Sequence, residues 1–77
     1  MTWNHRVIRR EQPGEVTYSV HEVYYAPDGT IEAVGADPDT PCGESEGELR
    51  KDIERFLRAF EKPVIEWDAL PWNIRKP

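Results

Sequence analysis

The hydrophobic pattern of this chain changes period once, and that change constrains the fold more than any other feature. Before Gly43 the apolar residues occur in short runs that end at Pro-Gly and Asp-Gly turns. After Glu48 they follow helical spacing, at Leu49, Ile53, Phe56, Leu57 and Phe60. Strand-like runs followed by one helical segment predict an α+β fold in which the strands come first.

Three segments before Gly43 have the composition and the turn boundaries of strands. Residues 3–10 end at a Pro13-Gly14 turn, and residues 16–25 end at a turn that contains Pro27 and Gly29. Residues 30–34 make a short third segment. Connections this short allow only antiparallel pairing, so we predict a three-stranded antiparallel β-meander.

The faces of this sheet follow from side-chain alternation. If Pro27 and Gly29 lie in the turn, Tyr24 pairs with Ile31 and Val23 pairs with Glu32. The side of the second strand that is predicted to face the core carries Val16, Tyr18, Val20 and Tyr24. One helix covers one face, so side chains of the other face, Tyr25 among them, are predicted to contact a partner or a second copy in a homodimer.

The start of the helix is predicted from a capping box. Ser45 is expected to accept a hydrogen bond from the backbone N–H of Glu48, whose carboxylate accepts in turn from the N–H of Ser45. The helix then runs from Glu46 to about Glu61 and stops at Pro63. Residues 64–67 could add a fourth strand, which gives the order β-β-β-α(-β).

We divide the chain into a single α+β domain at residues 1–65 and a C-terminal tail at residues 66–77. The tail is unusually apolar and carries Trp67, Trp72 and Ile74. Aromatic anchors dominate the energetics of interfaces, so these three residues are predicted to bind a protein partner. The alternative is that the tail packs on its own sheet, and both roles are compatible.

The negative charge is concentrated before the helix. The net charge is −5, and residues 35–48 carry five acidic and no basic side chains. These carboxylates complement the helix macrodipole, and Glu44, Glu46 and Glu48 could in addition meet a basic partner, such as a nucleic-acid-processing protein. Direct binding to nucleic acid is not expected, because affinity for phosphate needs clustered Lys and Arg.

Residues with catalytic or metal-binding chemistry are sparse. His5, His21 and Cys42 are the only histidine and cysteine residues in the sequence, and none of them has a second such ligand at close spacing. We therefore predict no metal, no cofactor and no catalytic residues, so the protein is not expected to be an enzyme. A single cysteine and the lack of a long apolar run predict a cytoplasmic protein that does not bind membranes.

Parts of the sequence resemble two known groups of proteins. The chain is similar to a group of small bacterial proteins without an assigned function, through Trp3-Asn4, Arg6-Val7, His21-Glu-Val-Tyr-Tyr25, Gly43-Glu-Ser45 and Lys62-Pro-Val-Ile65. Gly43-Glu-Ser-Glu-Gly-Glu-Leu49 resembles the Gly-x-Thr/Ser-x-x-Glu stretch of HicB-like antitoxins. That second resemblance implies a partial double-stranded-RNA-binding-domain-like fold and an antitoxin role.

The sequence thus favours a non-enzymatic protein–protein interaction module. Its binding surface would be the free sheet face, a sheet edge or the C-terminal tail. The alternative is a small acidic inhibitor of a nucleic-acid enzyme, antitoxin-like or anti-defence, that uses the surface from Asp37 to Glu48.

Overall fold

The computed structural model describes residues 2–75, which form one four-stranded sheet with a helix and a folded C-terminal segment. The elements are β1 (Thr2–Gln12), β2 (Glu15–Tyr25), β3 (Ile31–Val34), α1 (Glu46–Leu57), β4 (Ile65–Glu66) and α2 (Trp72–Arg75), with 3₁₀ turns at Arg58–Glu61 and Trp67–Ala69. Met1, the first residue of the predicted domain, lies outside the described residues. Lys76 and Pro77, the last residues of the predicted tail, do so as well.

The sheet has the order β3-β2-β1-β4 and is mixed. The first three strands pair antiparallel, as predicted, whereas β4 pairs with β1 in parallel at Ile8–Ile65 and Arg9–Glu66. The parallel pairing arises because the chain crosses over through α1 between the two strands. The α+β class and the antiparallel meander are therefore confirmed, and the fourth strand makes the sheet mixed.

The β1–β2 hairpin turns where the sequence predicts. Gln12 pairs with Glu15 across a two-residue turn, and Gly14 has a φ of 79°. This left-handed conformation favours glycine because it has no Cβ. The turn sets a register in which Val7 lies opposite Val20 and His5 lies opposite Glu22.

The predicted register between β2 and β3 is wrong. Tyr24 pairs with Ala33 and Val23 with Val34, and an irregularity follows at Tyr25. The turn is wider than the prediction assumed. It is closed by the N–H of Ala26, which donates to the carbonyl of Thr30 at 2.8 Å, and β3 begins at the next residue, Ile31. The changed register places Val34 beside Val23, where both are buried.

The core lies on the opposite face of the sheet from the one predicted. Its buried members are Ile8, Val23, Val34, Trp67 and Leu70. Val16 and Tyr18, predicted to face the core, are 46% and 63% exposed. The core lies on this face because of a tertiary contact. The C-terminal segment folds across the face that carries Val23 and packs Trp67 and Leu70 against that face.

Helix α1 approaches the other face of the sheet mainly through its C-terminal half. The ring of Phe56 lies 4.4 Å from the ring of His5, and Ala59 in the following 3₁₀ turn is buried. Ser45 caps the helix as predicted, since its hydroxyl accepts from the N–H of Glu48 at 3.1 Å. The return bond differs from the prediction, because the Glu48 carboxylate accepts from the N–H of Glu44 at 2.8 Å.

Within residues 2–75, every helix is too short or too polar to cross a membrane.

Candidate functional site

The most conspicuous exposed surface is an apolar strip on α1. All twelve residues of this helix are described, and none of them is fully buried. We define the α1 stripe as Leu49, Ile53 and Leu57 of the helix and Phe60 of the following turn, which are exposed by 36%, 44%, 60% and 69%. Apolar residues at this spacing normally face a core, so their exposure marks a surface that can bind another molecule.

The orientation of α1 explains why the α1 stripe stays exposed. Asp52 and Phe56 lie on the side of the helix that is held to the rest of the chain, since Asp52 accepts from the backbone N–H of Cys42 at 2.9 Å. This bond, and then the one from Arg55, lowers the pKa of Asp52 below its ordinary value. The helical members of the α1 stripe begin about a sixth of a turn away from Asp52 and extend further from the sheet.

The two ends of α1 carry opposite charge. Glu44, Glu46 and Glu48 are exposed around its start, with no basic side chain among residues 35–48. Arg55, Arg58 and Lys62 are exposed around its end. The α1 stripe therefore lies between an acidic end and a mainly basic end.

A second candidate site is an open cleft between the start of β1 and the end of α1. It has a volume of about 470 Å³ and is lined by Trp3, Asn4, His5, Arg55, Arg58, Glu61 and Lys62. His5 is only 6% exposed, and its Nε2 lies 2.9 Å from Oδ2 of Asp39. The Trp3 indole and the His5 ring form a T-shaped pair, with 5.3 Å between centroids and 88° between planes.

Glu22 completes a group of three possible metal ligands with His5 and Asp39. The ligand atoms of the three side chains all lie within 4.8 Å of one another. The hydroxyl of Tyr24 donates to Glu22 at 2.6 Å, and this bond is the main reason why the pKa of Tyr24 is raised. The three residues are 17 or more positions apart in the sequence, so ligand spacing along the chain could not reveal them.

The predicted partner residues of the C-terminal tail occupy different environments. Trp67 is 7% exposed and belongs to the core, where the guanidinium of Arg10 lies 4.9 Å from its ring centroid. Ile74 is half-buried against the core. Trp72 is 68% exposed, so of the three it is the one whose ring is open to a partner.

Tyr25 does not lie on a free face. It is half-buried on the face that the C-terminal segment covers, and it packs against the core. Its hydroxyl donates to Oδ1 of Asn4 at 2.8 Å and accepts from Arg6 at 3.0 Å. The assignment of these residues to partner binding stays a prediction for the whole set: Trp67, Trp72, Ile74, Tyr25, Glu44, Glu46 and Glu48.

Comparisons of the chain with models of protein families, with curated proteins and with solved structures find no match. The two resemblances drawn from the sequence therefore stay predictions.

Proposed function

We propose that the protein is a non-enzymatic protein–protein interaction module that forms a homodimer through the α1 stripe. The observation that carries this proposal is an amphipathic helix that leaves Leu49, Ile53 and Leu57 exposed while its polar Asp52 is held to the rest of the chain. When a second surface removes a contiguous strip of apolar side chains from water, the free energy falls, and this stabilises the complex.

A second copy of the chain is the partner that the charges favour. When two α1 helices pack antiparallel around a two-fold axis, the acidic end of each lies beside the basic end of the other. The same geometry places Ile53 of one copy opposite Leu57 of its partner, and Leu49 opposite Phe60. An isologous interface of this kind uses one self-complementary patch, which is the arrangement of most homodimers.

The proposal predicts that the chain is a dimer and that Leu57→Glu makes it a monomer. A charge placed in an apolar interface must be desolvated without a partner, so dimerisation should weaken at least about tenfold. Sedimentation velocity over a range of concentrations measures this, because the chain has a mass of 9.0 kDa and the dimer twice that mass.

The matched control for this experiment is Lys51→Glu. It introduces the same residue into the same helix, about 120° around the axis from Leu57, and should leave the dimer intact. Leu57 is 60% exposed, so its substitution leaves the fold of the single chain unchanged. A wild-type chain that stays monomeric at all concentrations, or a Leu57→Glu chain that dimerises like the wild type, would contradict the proposal.

A second candidate function is the acidic inhibitor of a nucleic-acid enzyme, of the antitoxin-like or anti-defence kind. Its support is the exposure of Asp37, Glu44 and Glu46, acidic side chains that could occupy a basic groove. Such a partner should be captured from the native host by the wild-type chain and lost with the double variant Glu44→Lys/Glu46→Lys.

Glu48 stays unchanged in that variant because it holds the start of α1. Affinity purification followed by mass spectrometry compares the two baits, with Glu32→Lys on the exposed side of β3 as a control for charge. Identical protein sets from the wild type and the double variant would argue against this candidate.

A further inference from the structure

We propose that His5, Glu22 and Asp39 form a binding site for a divalent transition-metal ion. Each ligand comes from a different segment: His5 from β1, Glu22 from its cross-strand partner position on β2, and Asp39 from the loop after β3. The sheet and one loop thus bring an imidazole and two carboxylates together within 4.8 Å. This site is independent of the α1 stripe and of dimerisation.

The distance between His5 and Asp39 fits two ligands of one ion. Their atoms Nε2 and Oδ2 lie 2.9 Å apart and share a hydrogen bond, whose proton the ion would replace. Adjacent ligands of a six-coordinate ion with bonds of about 2.0–2.1 Å lie roughly 2.9 Å from each other, and those of a tetrahedral ion roughly 3.4 Å. The ligand atom of Glu22 lies within 4.8 Å of these two atoms, so a small shift of its carboxylate completes the set.

Each carboxylate is already oriented by a hydrogen bond from outside the group. Tyr24 donates its hydroxyl proton to Oε2 of Glu22 at 2.6 Å, and the N–H of Thr40 donates to Oδ1 of Asp39 at 3.0 Å. The N–H of Asp39 donates to the carbonyl of Val20 at 2.8 Å, which fastens the loop to β2. Outer bonds of this kind hold ligands in place at metal sites and raise affinity.

The ligand set indicates the class of ion. An imidazole with two carboxylates suits Zn²⁺, Mn²⁺ or Fe²⁺, whereas Mg²⁺ and Ca²⁺ prefer oxygen ligands alone. Two carboxylates neutralise the charge of a divalent ion. Neutralisation is needed here because His5 is only 6% exposed, and an uncompensated charge in a buried position is costly. Of the three ligands, His5 also lines the cleft beside α1.

Titration of the untagged chain with Zn²⁺ tests the proposal, in a Cys42→Ser background that removes the exposed thiol. Calorimetry should show one saturable site with a Kd below about 10 µM, which Glu22→Gln and Asp39→Asn each weaken at least tenfold. Glu32→Gln, which removes an exposed acid from the same sheet, should bind like the parent chain. Circular dichroism checks that each variant is folded.

The second histidine provides an internal control by NMR. His21 is as buried as His5, but its Nδ1 donates to the carbonyl of Gly35 at 2.8 Å and its Nε2 lies 2.9 Å from the Ser19 hydroxyl. Zn²⁺ should shift the imidazole nitrogens of His5 and leave those of His21 unchanged, and Mg²⁺ should shift neither. The absence of saturable binding, equal affinity in the carboxylate variants, or equal shifts at both histidines would overturn the proposal.

Discussion

Removal of residues 66–77 is expected to unfold the chain. The deletion takes away Trp67 and Leu70, two of the five buried side chains that form the core. Truncation of one large buried side chain costs about 2–5 kcal/mol, and a domain of this size has a total stability of roughly 4–12 kcal/mol. Far-UV circular dichroism and urea titration of the truncated chain should therefore show no cooperative transition.

Two tryptophans of the C-terminal segment form a matched pair for the same prediction. Trp67→Ala should lower the free energy of unfolding by about 3–5 kcal/mol, whereas Trp72→Ala should change it by about 0.5 kcal/mol or less. The two residues are 7% and 68% exposed. The measurement is best made in the Leu57→Glu background, so that dissociation of the proposed dimer does not contribute. A truncated chain that unfolds cooperatively would show that the core does not depend on this segment.

Alanine substitutions at two glycines near the helix start are expected to have opposite effects. A Cβ at Gly43 would lie 2.5 Å from the backbone nitrogen of Leu49 and 2.8 Å from the carbonyl carbon of Glu48. These are backbone atoms of α1, so the loop must move, and Gly43→Ala should destabilise the fold by about 2 kcal/mol or more. The loss arises because the segment before the helix packs directly against its first turn.

Gly47→Ala is the control for that substitution. A Cβ at Gly47 would have Ser45 Oγ as its neighbour, at an ordinary 3.9 Å. Gly47 lies in the first turn of α1, where alanine restricts the unfolded chain and favours the helix, so stability should rise by about 0.4–1 kcal/mol. Urea denaturation of both variants measures the difference. Equal effects of the two substitutions would contradict the close approach of Gly43 to α1.

Local structure could be predicted from the sequence because the signals for it lie within a few residues. The Pro13-Gly14 turn sets the β1–β2 register, and Ser45 with Glu48 starts α1. The β2–β3 register could not be predicted in this way. It depends on hydrogen bonds across Ala26–Thr30 that widen the turn, and the dipeptide signal of Asp28-Gly29 is the same for a narrow turn.

The candidate sites also differ in whether the sequence could predict them. Exposure of Glu44 and Glu46 follows from their place at a helix start, so an acidic surface was predictable from the sequence. The His5, Glu22 and Asp39 group was not, because it depends on which residues face each other across β1 and β2 and on where the loop after β3 returns.

The sequence by itself determined the order of strands and helix, the positions of the turns and the helix start, since each depends on local backbone preferences and on hydrophobic period. The tertiary structure decided which face of the sheet is the core and which apolar residues remain exposed. Val23 and Val16 lie on opposite faces of one strand, and alternation alone makes them equivalent. The difference between them arises because Trp67 and Leu70 pack over the face of Val23, while α1 contacts the other face through Phe56 and leaves the α1 stripe uncovered.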